Sequence, residues 1–265
     1  MFKPKKALLA GAGALLVGLS VNAYAHTSVL NGTVNADASG EVAAGVNQLI
    51  ITHSCETVDK NGNETGNYIN VIAQSVLFPT GGSDAYITTV EDSTHTPVDV
   101  TVENILGESL AGKFRPVSSN EIFAKQSLKQ ISINNATTTI GFNSYKGRFQ
   151  QGFIGLVPFH MKKLNIQDTS GTDIKGCTKE LQIKVSIADV CKTKGFKKGH
   201  VNLWMPNTTD KYTEVVDGTS STTRGGEPAT ITVDNSVACP AGKTVVIWPT
   251  DSYIDANFAI PKVWN

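Results

Sequence analysis

Five histidines and four cysteines hold most of the chemistry this sequence offers: His26, His53, His95, His160 and His200, with Cys55, Cys177, Cys191 and Cys239. Imidazole nitrogen suits copper, zinc and nickel, so position must separate a ligand from a packed side chain. His26 follows Ala23-Tyr24-Ala25, the small-x-small pattern that signal peptidase cuts. A chain cut there starts on a histidine and offers two nitrogens from one residue, the free α-amine and the ring Nδ1. Chelation through both closes a ring around the metal, and planar nitrogen donors favour Cu(II). On that residue alone, a histidine left first by export without a ligand role is the plainer reading.

The other histidines sort by their surroundings. His53 closes the β-type run Gln48 to His53, two residues before Cys55, where a disulfide would pin it. A ligand held at a strand end is one that does not wander; a packed, hydrogen-bonded histidine is the alternative. His200, Asn202 and Trp204 stand at alternate positions of an expected strand and share one face. Trp204 there is core packing or the wall of a metal site. His95 lies in the turn-like Asp92-Ser-Thr-His-Thr-Pro97, and His160 alternates with apolar residues in Pro158-Phe-His-Met161. Both read as ordinary solvated or packed side chains.

Export fits the start of the chain. Lys3, Lys5 and Lys6 make a positive segment, and Ala7 to Leu19 is an apolar run too short for a span of about 20 residues. A retained anchor is the alternative. Cleavage after residue 25 takes three lysines from a chain with 23 basic and 23 acidic residues, leaving three acids in excess. No clustered basic face for nucleic acid is expected; Lys192, Lys194, Lys197 and Lys198 read as a solvated loop. An even number of cysteines in an exported chain reads as two disulfides with three possible pairings, and the absence of CxxC removes zinc-knuckle and thioredoxin-type motifs.

Strands hold these residues in place. The mature sequence has no sustained helical period; short Val/Ile/Thr-rich runs are bounded by Gly, Asn and Asp. The runs are 48–53, 70–78, 98–104, 138–142, 152–162, 181–187, 200–205, 230–233 and 243–248. Val98, Val100 and Val102 alternate cleanly and predict one strand. Turns are expected at 59–66 and 80–84, and a long loop over Val215 to Pro228. This spacing predicts an all-β, antiparallel two-sheet sandwich of the immunoglobulin or cupredoxin kind. It is read as one domain over 26–265, with 207–265 as a C-terminal extension.

Three stretches together resemble the YcnI-like family of periplasmic copper-binding domains. They are Ala25-His26-Thr27-Ser28-Val29; then Ala44-Gly45 with Ile51-Thr52-His53-Ser54-Cys55 and the run Asn70 to Pro79; then Val190-Cys191 with Lys198-Gly199-His200-Val201-Asn202-Leu203-Trp204-Met205-Pro206. The resemblance spans 26–206. It implies a sandwich that binds Cu(II) through His26, with His53 as second ligand and His200 and Trp204 beside them or as a third ligand. It also implies a Cys55–Cys191 disulfide; Cys177–Cys239 is expected as the other. The sequence departs from the family pattern where Asn202 stands in the usual tryptophan position. Trp204 comes two residues later, on the same face but about 7 Å further along a strand. Thr52 replaces the usual proline before His53, and Cys177 and Cys239 are additional.

The function implied is non-catalytic capture of copper in the periplasm, for handling or for delivery to another periplasmic or membrane copper protein. No membrane span after cleavage and no nucleic-acid partner are expected. Two other classes remain open: a copper monooxygenase, which also starts on histidine, and an adhesive or structural sandwich without metal. Aromatics at 7% form no flat cluster for a glycan, and no Gly-x-Ser-x-Gly supports a hydrolase.

Overall fold

The computed structural model describes residues 27–90, 96–119, 121–169, 172, 174, 176–192, 200–212 and 228–258. Alternating side chains build most of it. The strands run in the order β1 (Ser28–Val29), β2 (Thr33–Asn35), β3 (Glu41–Val42), β4 (Gly45–Ile51), β5 (Cys55–Val58), β6 (Glu64–Ile69), β7 (Val71–Leu77) and β8 (Ala85–Thr89). Helix α1 (Val102–Leu106) precedes β9 (Phe114–Pro116), β10 (Phe123–Ile133), β11 (Ala136–Phe149), β12 (Gly155–Met161), β13 (Leu164–Asn165) and β14 (Thr178–Val190). Then come β15 (Val201–Trp204), β16 (Ala229–Asp234), β17 (Lys243–Pro249) and α2 (Asp251–Asn257).

The fold is the expected β-sandwich. A four-stranded sheet, β1-β4-β12-β9, packs against a nine-stranded one whose main path is β10-β11-β7-β14-β16-β2. Between them lies a core that includes Leu49, Ile51, Phe159 and Phe114 from the small sheet and Val76, Phe142, Ile183 and Ile231 from the large one. Phe78 stacks on Phe114 with ring centroids 4.4 Å apart, a geometry that adds to the area buried.

Strand β14 organises the large sheet. Its first half pairs with β16 and β17, its second half with β7 and β15. The sequence marks the change. Leu181, Ile183 and Val185 alternate with half-buried Gln182 and Lys184, and after Val185 every residue to Val190 is buried. Alternation fits a sheet with one wet face, and a continuous run fits one covered on both. The cover is the C-terminal part of the chain. Met205, Tyr212, Tyr253, Ile254 and Phe258 form a second core with Ala73, Leu77, Ala188, Val190 and Leu203 on the outer face. Strands β16 and β17 are built into the large sheet itself.

Three expectations are corrected. Val98 to Asn104 is not a strand: Val98 makes only an isolated bridge to Ile87, and α1 starts at Val102. Thr101 accepts from the Asn104 backbone and the Asn104 side chain accepts from the Thr101 backbone, a reciprocal cap that starts a helix despite the valines. Gly107, left-handed at φ 69, ends it. The run 48–53 stops as a strand at Ile51, which leaves His53 in a link between β4 and β5. Of the expected 59–66 turn, only 59–63 is turn, the tip of the β5–β6 hairpin, where the Asp59 carboxylate accepts from the Asn61 and Asn63 backbones; β6 starts at Glu64. Residues 1–26, His95 and 215–227 of the long loop lie outside the described residues. Among those described, no helix is long and apolar enough to cross a membrane.

Among the described residues, the outer layer contains one buried cation. Lys129 is 9% exposed; its Nζ donates to the Asn257 carbonyl at 3.3 Å and lies 5.5 Å from the Phe258 ring centre. Burial, with the charge of Lys211, holds its ammonium down to about 8 from 10.5. A folded value below the unfolded one contributes stability that is complete above the unfolded value and lost as pH falls through about 8. Burial pushes the Tyr212 and Tyr253 phenols up, so they oppose this only above about pH 10. Stability in urea is therefore expected to rise between pH 8 and 10. Lys129→Met should flatten that rise and gain up to about 3 kcal/mol at pH 7. A wild-type profile already flat across the interval would show that the ammonium remains solvated.

Candidate functional site

Two chain segments distant in sequence are tied together at one end of the sandwich. Cys55 opens β5 and Cys191 follows β14, and the two form a disulfide across a separation of 136 residues. Cys177 and Cys239 form the second, at the other end of β14. His53 stands two residues before Cys55, and its link is clamped: Ser54 N donates to Gln151 Oε1 at 2.8 Å and Ser54 Oγ to the Phe149 carbonyl at 3.3 Å. The His53 Nδ1 lies 2.8 Å from the Ser54 carbonyl oxygen. A carbonyl only accepts, so Nδ1 carries a proton in this geometry, and Nε2 is buried.

Trp204 lies edge-on to that imidazole, with ring centroids 5.6 Å apart at 81°. Pairing of β15 with β14 sets it there, with Trp204 opposite Ile187 and Asn202 opposite Asp189. The indole N–H donates at 2.8 Å to Asp189 Oδ2. Asp189 is 1% exposed and accepts two more bonds, from Thr27 Oγ1 to Oδ2 at 2.5 Å and from Gln74 Nε2 to Oδ1 at 2.9 Å. Burial pushes its carboxyl up; the bonds from Thr27, Gln74 and Trp204 pull the other way, and the neighbouring His53 adds to that pull.

Thr27 joins this hub to the start of the described chain. It is fully buried, and β1, which follows it, runs antiparallel to β4 with Ser28 opposite Ile50. Thr27 and the His53 link therefore share one end of the small sheet. The Asp189 row continues sideways, with Gln74 on one flank and Asn202 on the other. Among the described residues, Gln74 Oε1 and Asn202 Nδ2 are buried without a hydrogen-bond partner.

Of the residues singled out from sequence, His53, Trp204, Cys55 and Cys191 come together. The along-strand displacement expected for Trp204 does not part it from His53. His200 is tied in by its backbone, its carbonyl accepting from Cys191 N at 2.8 Å and Lys192 N at 3.0 Å. His160 is half-buried on β12, opposite Val46 and Arg115. His26 lies outside the described residues. Asp189, Gln74 and Thr27 were missed. The signal for Asp189 is a carboxylate inside the apolar run Ser186-Ile-Ala-Asp-Val-Cys191, where a charge must have partners.

Imidazole nitrogen, here that of His53, is a donor type that suits a borderline metal. No group of three or more His, Cys, Asp or Glu gathers to hold a metal among the described residues. No family model matches the chain, and no curated protein is significantly similar to it.

Proposed function

We propose that this chain is an exported copper-binding protein that captures Cu(II) at His26, the first residue after signal cleavage, with His53 as the second ligand. The reading rests on one observation above the rest. Thr27, the residue bonded to His26, is held by Asp189, and Asp189 also holds the indole that lies against His53. Two chain segments that the sequence singled out separately are thus linked through a single carboxylate.

The chemistry follows from the donors. The His26 α-amine and ring Nδ1 chelate, His53 Nε2 adds a third nitrogen, and Trp204 walls the site from water. All three nitrogens must be deprotonated, so affinity falls as pH falls. The Cys55–Cys191 disulfide keeps the His53 link and the Asp189 strand at a set separation, and its stability calls for an oxidising compartment such as the periplasm. The role is copper handling or delivery to another periplasmic or membrane copper protein, without turnover.

A Cu(II) titration followed by paramagnetic resonance tests this on protein cleaved to His26, beside a copy with one extra residue ahead of it. The cleaved form is expected to bind one Cu(II) with a nitrogen-rich signal, and the extended form at least 100-fold more weakly. Equal binding by both, or by neither, removes His26 as the ligand and the copper reading with it.

A further inference from the structure

We propose that Asp189 is the positioning residue of this site, acting through its hydrogen bonds and not through its charge, a role that rests on the copper reading above. Oδ2 takes both Thr27 and the Trp204 indole, and Oδ1 takes Gln74. One oxygen therefore sets where the chain enters at residue 27 and how the indole lies against His53. The carboxylate itself has little freedom. It sits in the doubly covered half of β14, flanked by β7 and β15, two residues before a disulfide cysteine. A hub so held orients what bonds to it.

The surroundings separate hydrogen bonding from charge. An asparagine at 189 with its oxygen in the Oδ2 place keeps both Thr27 and Trp204. Its amide N–H groups then face Gln74, whose Oε1 is buried without a hydrogen-bond partner among the described residues. A half-turn of the Gln74 amide brings that oxygen round to accept, at no cost in shape. Asp189→Asn therefore retains every tie of the hub and removes only the charge. Thr27→Val does the reverse: it keeps shape and charge and removes one tie. Thr27→Ser restores the hydroxyl.

The test reads both metal-free and copper-loaded protein, each variant cleaved to His26. Without metal, hydrogen exchange of the Trp204 indole N–H is followed by NMR; with metal, the Cu(II) resonance spectrum and affinity are measured. Asp189→Asn and Thr27→Ser are expected to keep slow indole exchange, the wild-type spectrum and an affinity within 3-fold. Thr27→Val is expected to keep slow exchange, change the copper spectrum and lose at least 10-fold in affinity. Asp189→Ala should lose protection at the indole as well; the conclusion does not depend on its folding, since the other variants decide it. An Asp189→Asn protein that keeps indole protection but loses copper by 10-fold or more shows that charge is what matters, and overturns the proposal. So does a Thr27→Val protein with an unchanged copper spectrum. A wild-type protein that takes up no copper overturns the site reading and Asp189's role together. That result is distinct from failure of the hub alone, where the wild type binds and only the variants depart.

Discussion

Replacing Cys55 and Cys191 together by alanine is expected to lower the stability of the fold by about 5 kcal/mol, from the chain entropy released by opening so long a loop. The bond closes a separation of 136 residues, and both cysteines are buried. Removing Cys177 and Cys239, separated by 62 residues, should cost about 4 kcal/mol by the same argument. Loop length enters only as a logarithm, so the two bonds, which staple opposite ends of β14, are close to equal as constraints on the unfolded chain. They are unequal at the site. Cys55 follows His53 by two residues and Cys191 follows Asp189 by two, and Cys55 N donates to Cys191 Sγ at 3.3 Å. Only the Cys55–Cys191 pair therefore holds the His53 link against the Asp189 hub. Guanidinium unfolding of the two double variants should give similar losses. Cu(II) affinity should fall at least 10-fold in the first and remain within 3-fold in the second. Equal effects on copper would mean that the disulfide near His53 does no more than stabilise the sandwich.

The sandwich was legible because its strands alternate over their own length. Leu181 to Val185, Gly155 to Met161 and Ala229 to Asp234 each place apolar residues on one face, which is local information. What was not legible was decided by contacts between distant segments or by side chains competing for the backbone. Val98 to Asn104 has the period of a strand, yet Thr101 and Asn104 satisfy each other's backbone and turn the chain into α1. Strand β10 is an edge of the large sheet with many exposed polar residues, so Ala124-Lys-Gln-Ser-Leu-Lys129 gives no strand signal of its own. Its partner β11 was legible only over 138–142, in its first half.

The same division runs through the site. His53 was legible from its spacing to Cys55, and the shared face of His200, Asn202 and Trp204 from strand period. The place of the indole was not, because distance along a strand says nothing about which neighbour faces it. Pairing of β15 with β14 settles that, and it also places Asp189, which the sequence analysis did not single out, at the buried centre of the network. Thr27 carried no signal at all, since a threonine two residues after an expected cleavage point becomes informative only when its hydroxyl is found on a buried carboxylate. His26 was read from an expected leader and from chelation chemistry, and it lies outside the described residues.

Gly141→Ala is expected to be the most damaging small substitution in the large sheet, at about 3 kcal/mol or more. A Cβ built on Gly141 falls 2.2 Å from the Val76 carbonyl oxygen and 3.1 Å from Leu77 Cα, both main-chain atoms of β7. A flexible side chain could swing aside; a strand fixed between β11 and β14 cannot. The cause is local. The register of β10 on β11 slips between Lys129 and Gln130, at a point where Gly141 pairs with Lys129 and with Leu77. A glycine at such an irregularity lets neighbouring backbones come close. Gly45→Ala is the control: nothing lies within 4 Å of its Cβ position, and the change should stay within about 0.5 kcal/mol. The effect should also reach the site, because β7 carries Gln74 three residues from Leu77, and Gln74 holds Asp189. Displacement of β7 is therefore expected to speed indole exchange at Trp204 in the folded protein as well as to lower the unfolding midpoint. A Gly141→Ala protein within 1 kcal/mol of wild type would mean that β7 and β11 can separate at no great cost, and that the large sheet is a softer frame for the Asp189 hub than its close backbone approach implies.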